Sequence, residues 1–315
     1  MFDKLAPILV SVYNRYECLV RCIESLKNNE LAKHSNLFII SDAPACIKDK
    51  NEIEKIRKYI LNISGFKSVI PIFNDENLGS AGSSMKLIET ALLEYDYFIR
   101  LEDDIVVSSD FLQYMNEGLY FYKDQSSVYG ICGFKLCFEL PPKYDKDIYF
   151  YPCNSPWGYA TWKDRWEDVD LTYFDRYSEL KKDPNKYKDF TSIGFYIKGI
   201  LQADSRKEIV AGDLRVYYHM FQNNMYSVFP VVSKTQNWGF DGTGEHCGNK
   251  QAWWAKPELD TRNQPTKFIP FNGYNEELLR NHRKFQDKIN GGLLAKWLKY
   301  TWVHDLWKKI KSVLK

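Results

Sequence analysis

The chain has 315 residues, 44% of them hydrophobic and 27% charged, with a formal net charge of +2. That length supplies one large core or two ordinary ones, and the near-neutral balance provides no global field for nucleic acid. No run nears the ~20 apolar residues that span a bilayer, and the opening MFDKLAPILVSVYN is built like a strand, not like a leader peptide.

Along the first third, strand and helix patterns alternate. Residues 7–12 (PILVSV) read as a strand. Residues 16–27 follow as a helix with Leu19, Cys22, Ile23 and Leu26 on one face. Residues 37–41 (LFIIS) are a second strand ending at Asp42, and 52–61 a helix on Ile53, Ile56, Ile60 and Leu61. Residues 68–73 (SVIPIF) make a third strand, NDENLGSAGSS a loop, 85–93 a helix and 97–101 a fourth strand. This order predicts an α/β fold, a mostly parallel sheet flanked by helices on both faces. Ligands of such sheets bind at the carboxyl ends of strands. Those ends carry Asn14, Asp42, the polar stretch Asn74 to Asn77 and the run Glu102, Asp103, Asp104, so a site along one sheet edge is expected.

Beyond Asp110 the pattern predicts a helix over 111–122 and strands over 128–134 and 148–151, then an aromatic loop, YPCNSPWGYATWKDRW. Helices are expected around 195–201 and 214–222, and a strand over 227–233 that leads into TQNWGFDGTGEHCGN. Residues 293–315 form a basic amphipathic helix, with Trp302, Leu306, Ile310 and Leu314 on one face and lysines opposite. That helix either packs on the domain or docks on an anionic membrane. The seven cysteines are odd in number and form no CxxC pair, which reads as reduced thiols in a cytoplasmic protein.

Three adjacent carboxylates are tolerable in a solvated turn, but not in a dry one without a cation. Set between YFIR and IVV, the triplet is read as a site for Mn²⁺ or Mg²⁺, which take carboxylate oxygens. RLEDDIVVSSDF resembles the acidic metal motif of GT-A fold nucleotide-sugar glycosyltransferases. The likeness is to the N-acetylglucosaminyltransferase-I-like branch and to bacterial family-2-type polysaccharide sugar transferases. APILVSVYNRYECLVRCIESL, FIISDAP, YFYPCNSPWGYATWKDRW and SKTQNWGFDGTGEHCGN resemble further segments of these enzymes, in the same order.

The resemblance implies a GT-A (Rossmann-like) domain over 1–270, with a nucleotide half at about 1–125 and an acceptor half at about 126–270. A C-terminal helical tail, 271–315, would follow. It implies an inverting transfer from a UDP-sugar, UDP-GlcNAc as the first guess, to a glycan hydroxyl in bacterial surface polysaccharide or lipopolysaccharide synthesis. A polyprenyl-diphosphate-linked acceptor at the inner membrane face is one form of this. Asp104 would be the direct metal ligand, Asp103 would hold ribose or a metal-bound water, and Glu102 would back them or touch the sugar. His246 would be the second metal ligand; a loop histidine without a ligand is the plainer reading. Asp42 is either a uracil-binding acceptor or a turn former, and Asn14 and Arg15 either contact base and diphosphate or serve as loop and cap residues. Gly79 opens a glycine loop whose amides would face phosphate or sugar, with Ser83 or Ser84 as an alternative helix cap. Trp157, Gly158, Trp162 and Trp238 are expected around the sugar and acceptor, though any single tryptophan is as suited to the core. Asp213 matches the catalytic base, but the tryptophans that flank that acid in the family are missing, so Asp204, Glu208 and Asp241 stay open. A sugar nucleotidyltransferase and a non-catalytic sugar-binding protein are the rival readings.

Overall fold

Parallel strands buried on both faces need unbroken apolar runs, and the chain supplies them in its first hundred residues. In the computed structural model, which describes residues 4–194, 196–242, 252–262 and 264–289, these runs become adjacent strands. The order is β1 (Ile8–Val12), α1 (Tyr16–Lys27), β2 (Asn36–Ser41), α2 (Lys50–Ile60), β3 (Ser68–Phe73), α3 (Gly79–Leu92) and β4 (Tyr97–Glu102). Then come β5 (Ile105–Val107), α4 (Phe111–Tyr122), β6 (Val128–Cys132), β7 (Ile148–Tyr151), β8 (Tyr159–Trp162) and α5 (Lys163–Glu167). α6 (Arg176–Lys181), α7 (Pro184–Phe190), α8 (Tyr196–Ser205), α9 (Gly212–Gln222), β9 (Tyr226–Pro230), β10 (Thr235–Asn237) and α10 (Glu276–Ile289) complete it.

Eight strands form one sheet in the order β3-β2-β1-β4-β8-β6-β9-β7, and β5 pairs with β10 in a separate ribbon. β3, β2, β1 and β4 run parallel, as do β6 and β9; β8 and β7 are antiparallel insertions. Alternate residues separate the two faces. Ile8, Val10, Ile39 and Leu101 join a core with Leu19, Ile23 and Leu26 of α1, Ile56 of α2 and Leu112 and Met115 of α4. α3 packs on β1, β2 and β4 with buried Leu87, Ile88 and Ala91.

The register of the parallel strands aligns their carboxyl ends. Val12 lies beside Ser41, Ser41 beside Phe73, and Ser11 beside Glu102. The polar residues that come after each strand therefore reach the same sheet edge.

Three expectations are corrected. The stretch 79–84 is not a loop, because α3 starts at Gly79. Its small residues lower helix propensity, yet buried Ser83 and the packing on the sheet outweigh that cost. Ser83 and Ser84 thus lie inside the helix and do not cap it. The aromatic loop contains β8, whose Tyr159–Trp162 pairs with β4 and β6. The stretch after Ser233 contains β10, paired with β5.

The chain divides into two compact units, residues 1–137, 145–171 and 215–274 in one, and 138–144, 172–214 and 275–315 in the other. The first holds the sheet. The second is helical among its described residues, with Asp175 and Asp183 capping α6 and α7. Its last described helix, α10, covers part of the expected tail; 293–315 lies outside the described residues.

Within the first unit, Lys234 is buried at 1% exposure and bonds Asp110 and, at 2.9 Å, Asp260. Arg262 also holds Asp260, at 2.6 Å. This cluster anchors the chain just before β10. Despite burial, the Arg262 and Lys234 bonds hold the Asp260 carboxyl well below the usual carboxylate range. Its stabilisation is thus complete above the unfolded value of about 3.9 and is lost as pH falls toward the folded one. Lys234→Met leaves two acids without their shared cation and is expected to cost about 3–5 kcal/mol, read by denaturant melts at neutral pH. A loss below about 1 kcal/mol would show that the cluster contributes little.

Candidate active site

β4 ends at Glu102, and the chain turns through Asp103 and Asp104 into β5. Both aspartates are buried, at 3% and 5% exposure. The neighbouring strand β1 delivers Arg15 to them. Its Nη2 donates to Asp103 Oδ1, and its Nη1 lies 2.8 Å from Asp104 Oδ2. From the other side, Trp238 N donates to Asp104 O at 2.9 Å. The next residue, Gly239, packs on the same carboxylate: a Cβ there would overlap Asp104 Oδ2 and crowd Arg15. Asp104 Oδ1 is buried and has no hydrogen-bond partner among the described residues.

Burial pushes the Asp103 carboxyl up to about 7; the Arg15 guanidinium pulls it down, and Asp104 pushes it further up. Burial also works against the Arg15 charge, but Asp103 and Asp104 outweigh it and raise its pKa. Cys18 is pushed up to about 11, first by burial and then by Asp103, so it stays a neutral thiol. Glu102 is more open, with its side chain one-third exposed and Arg100 3.9 Å away.

Along the edge toward β3, Asp42 Oδ1 accepts from Ala43 N (2.9 Å), Leu78 N (3.0 Å) and Asn74 Nδ2 (2.9 Å). One oxygen thereby closes the 74–78 loop, and among the described residues no donor is seen on Oδ2. Lys86 holds Asn74 Oδ1 at 2.8 Å. Asn14 donates to Asp49 Oδ1 at 2.9 Å, and Tyr13 Oη to Asp49 Oδ2 at 2.6 Å. These bonds, Tyr13 first, lower the Asp49 pKa. Gly79 stands next to this loop in a left-handed conformation, φ 68°, at the start of α3. Sequence reasoning named Asn14, Asp42, Asn74 and Gly79 but missed Asp49 and Gly239, and it did not foresee the Asp42–Asn74 bond. The partners of Asp49, Asn74 and Gly239 lie 35, 32 and 135 positions away, and no local pattern marks these pairings.

Trp157 stacks on Trp254 (centroids 5.7 Å apart) and meets Phe240 and Phe134 edge-on. Gly158 takes φ 85°, where a Cβ would strike Thr235. Trp238 lies under Arg21 (4.4 Å) and Lys256 (3.8 Å). The segment 237–240 thus joins the acid turn to an aromatic wall that includes Phe240 and Trp254, neither of them anticipated; the WW at 253–254 was the available signal. Trp162 is not brought to this edge. It pairs with Tyr97 at the opposite end of β4 and is buried beneath Arg165. Asp213 lies in the first turn of α9 and belongs to the second unit. His246 lies outside the described residues.

Residues 8–158 match the profile of glycosyl transferase family 2. This part of the chain, just under half of it, resembles a family 2 glycosyltransferase domain. This match covers all of β1–β4, the acid turn and the aromatic segment as far as Gly158. No curated protein matches the chain. Among solved structures, TarS of S. aureus aligns at 13% identity and a TM-score of 0.40, over 72% of this chain and 35% of that one. The mannosyltransferase PcManGT of Pyrobaculum calidifontis, solved with GDP-Man and Mn²⁺, aligns at 11% and 0.34, over 52% and 46%. TarS 1-349 aligns at 15% and 0.35, over 54% and 50%. The chain thus spans half or less of each of these proteins.

The residues present fit a divalent ion. Asp103 and Asp104 supply hard oxygen donors on a rigid strand end, and Asp104 Oδ1 awaits a partner. Among the described residues no third acid, histidine or cysteine completes a cluster of three.

Gly239→Ala is expected to cost about 1–3 kcal/mol by overpacking. In an Asp104→Ala background most of that cost should vanish, a coupling that a double-mutant cycle of denaturant melts measures. Equal costs in both backgrounds would show that Gly239 is not required by Asp104.

Proposed function

We propose that this chain is an inverting, divalent-metal-dependent glycosyltransferase. It moves a sugar from a UDP donor, UDP-GlcNAc before others, to a hydroxyl of a glycan acceptor in bacterial surface polysaccharide or lipopolysaccharide synthesis. Residues of about 1–125 hold the nucleotide, and about 126–270 the acceptor. The family 2 match supports the reaction class. The observation that carries the rest is the buried acid pair ending β4, with an Asp104 oxygen that no described donor reaches.

Bound Mn²⁺ or Mg²⁺ would neutralise the diphosphate as it leaves C1. Asp104 would hold that ion, joined by His246, and Asp103 would hold ribose or a water of the ion. Asp42, through Oδ2, accepts from uracil N3–H, and Asn14, braced by Asp49, lies against the base. Gly79 and the amides that open α3 face the donor phosphates or sugar. Glu102 touches the sugar. Trp157, Gly158 and Trp238 wall the acceptor side. Asp213 takes the proton from the acceptor hydroxyl while that oxygen attacks C1 opposite the leaving group, which inverts the centre. Asp241 is the alternative base, because it is near enough to Cys18 to raise that thiol together with Asp103 and Asp104.

A screen of nucleotide sugars by nucleotide release tests this. UDP-GlcNAc with Mn²⁺ and a glycan acceptor should give UDP, and Asp104→Asn should lower kcat about 100- to 1,000-fold. Asp213→Asn should stop acceptor-dependent release and leave UDP binding intact; the same result with Asp241→Asn alone would move the base there. Thermal stabilisation by free sugar, without nucleotide or metal, would point to a sugar-binding protein.

Among the described residues no helix is long and apolar enough to cross a membrane. We place the protein in the cytoplasm, with residues 293–315 on the anionic inner face of the membrane, near a polyprenyl-diphosphate-linked acceptor. Flotation with anionic liposomes should recover the full chain and lose a chain ending at Gly292. Equal recovery would refute this contact.

A further inference from the structure

Taking the acid pair as the metal site proposed above, we infer that Arg15 is a built-in cation that holds this site until nucleotide and metal arrive together. Asp103 and Asp104 are both almost fully buried, and one guanidinium bridges them, bonding Asp103 Oδ1 and approaching Asp104 Oδ2 at 2.8 Å. Gly239 closes the far side of Asp104 Oδ2, so that oxygen faces Arg15 and no other cation among the described residues. The oxygen without a partner is Oδ1. A metal arriving alone meets a pair whose charge is already half offset, and it must displace or share with a cation that cannot be lost by deprotonation.

A nucleoside diphosphate changes this balance. It brings anionic oxygens to the same edge, and Arg15 sits one residue after Asn14 at the head of α1, facing that edge. The guanidinium transfers to the diphosphate as the metal takes the carboxylates. No bond is made or broken and no proton moves; one cation replaces another on each anion. The consequence is positive coupling: metal binds weakly alone and tightly with nucleotide, and nucleotide shows the reciprocal dependence.

The test is a set of Mn²⁺ titrations followed by electron paramagnetic resonance at pH 8, with and without UDP. The parent should bind Mn²⁺ about 5–150-fold more tightly in the presence of UDP. Arg15→Gln should bind Mn²⁺ alone about tenfold or more tightly than the parent does, and its coupling to UDP should shrink toward onefold. Arg15→Lys keeps a cation and should keep weak binding of Mn²⁺ alone. In the parent itself, the Arg15 Nε–Hε NMR signal should move on adding Mg²⁺ and UDP together and stay in place with Mg²⁺ alone. If Arg15→Gln binds Mn²⁺ alone no better than the parent, or the Arg15 signal ignores Mg²⁺ with UDP, the inference is overturned. If the parent does not bind Mn²⁺ even with UDP, the metal-dependent reading itself fails.

Discussion

One guanidinium between two buried carboxylates sets the character of this molecule. Burying a pair of like charges is unfavourable by several kcal/mol unless a cation accompanies them. Here the cation comes from the next strand. β1 and β4 are neighbours in the sheet, and that adjacency places Arg15 on Asp103 and Asp104. The ribbon of β5 and β10 then brings Trp238 and Gly239 against the same turn. Strand order, the antiparallel ribbon and one glycine thus meet at a single charge cluster.

The surrounding architecture keeps that cluster stiff. Asp42 and Asn74 close the loop after β3, and Asp49 fixes the end of β1 through Tyr13 and Asn14. Lys234, set between Asp110 and Asp260, anchors the approach to β10. Each brace is a side-chain bond between segments far apart in sequence, and each lies at the carboxyl edge of the parallel strands or one step behind it. A site built this way is organised before any ligand enters, which favours catalysis by fixed charges.

The parallel half was legible because its physics is local. Apolar runs of five or six residues, helices with spaced Leu and Ile, and acids at strand ends are all periodic or terminal signals. Strand β3 and helix α4 fall where the pattern puts them. Legibility failed where local propensity and tertiary packing disagree. Gly79–Ser84 reads as a loop but starts α3, since the sheet offers a surface to pack on. Tyr159–Trp162 is too short to stand out as a strand, yet two neighbours pair with it. For the same reason Trp162 looked like part of the pocket when it is a core residue at the far end of β4. The acids and Arg15 were visible in the sequence, whereas their pairing, and the part played by Gly239, were not. Gly239 is an ordinary residue until the fold sets it, with Arg15, beside Asp104.

The central claim is that Asp103 and Asp104 are kept dry in order to grip a divalent ion against a nucleotide diphosphate. Anomalous scattering from a crystal grown with UDP and Mn²⁺ tests it most directly. The account requires a manganese peak within bonding distance of Asp104 and of the UDP phosphates. A complex in which UDP is bound at the β1–β4 edge and no manganese lies at Asp104 would contradict it.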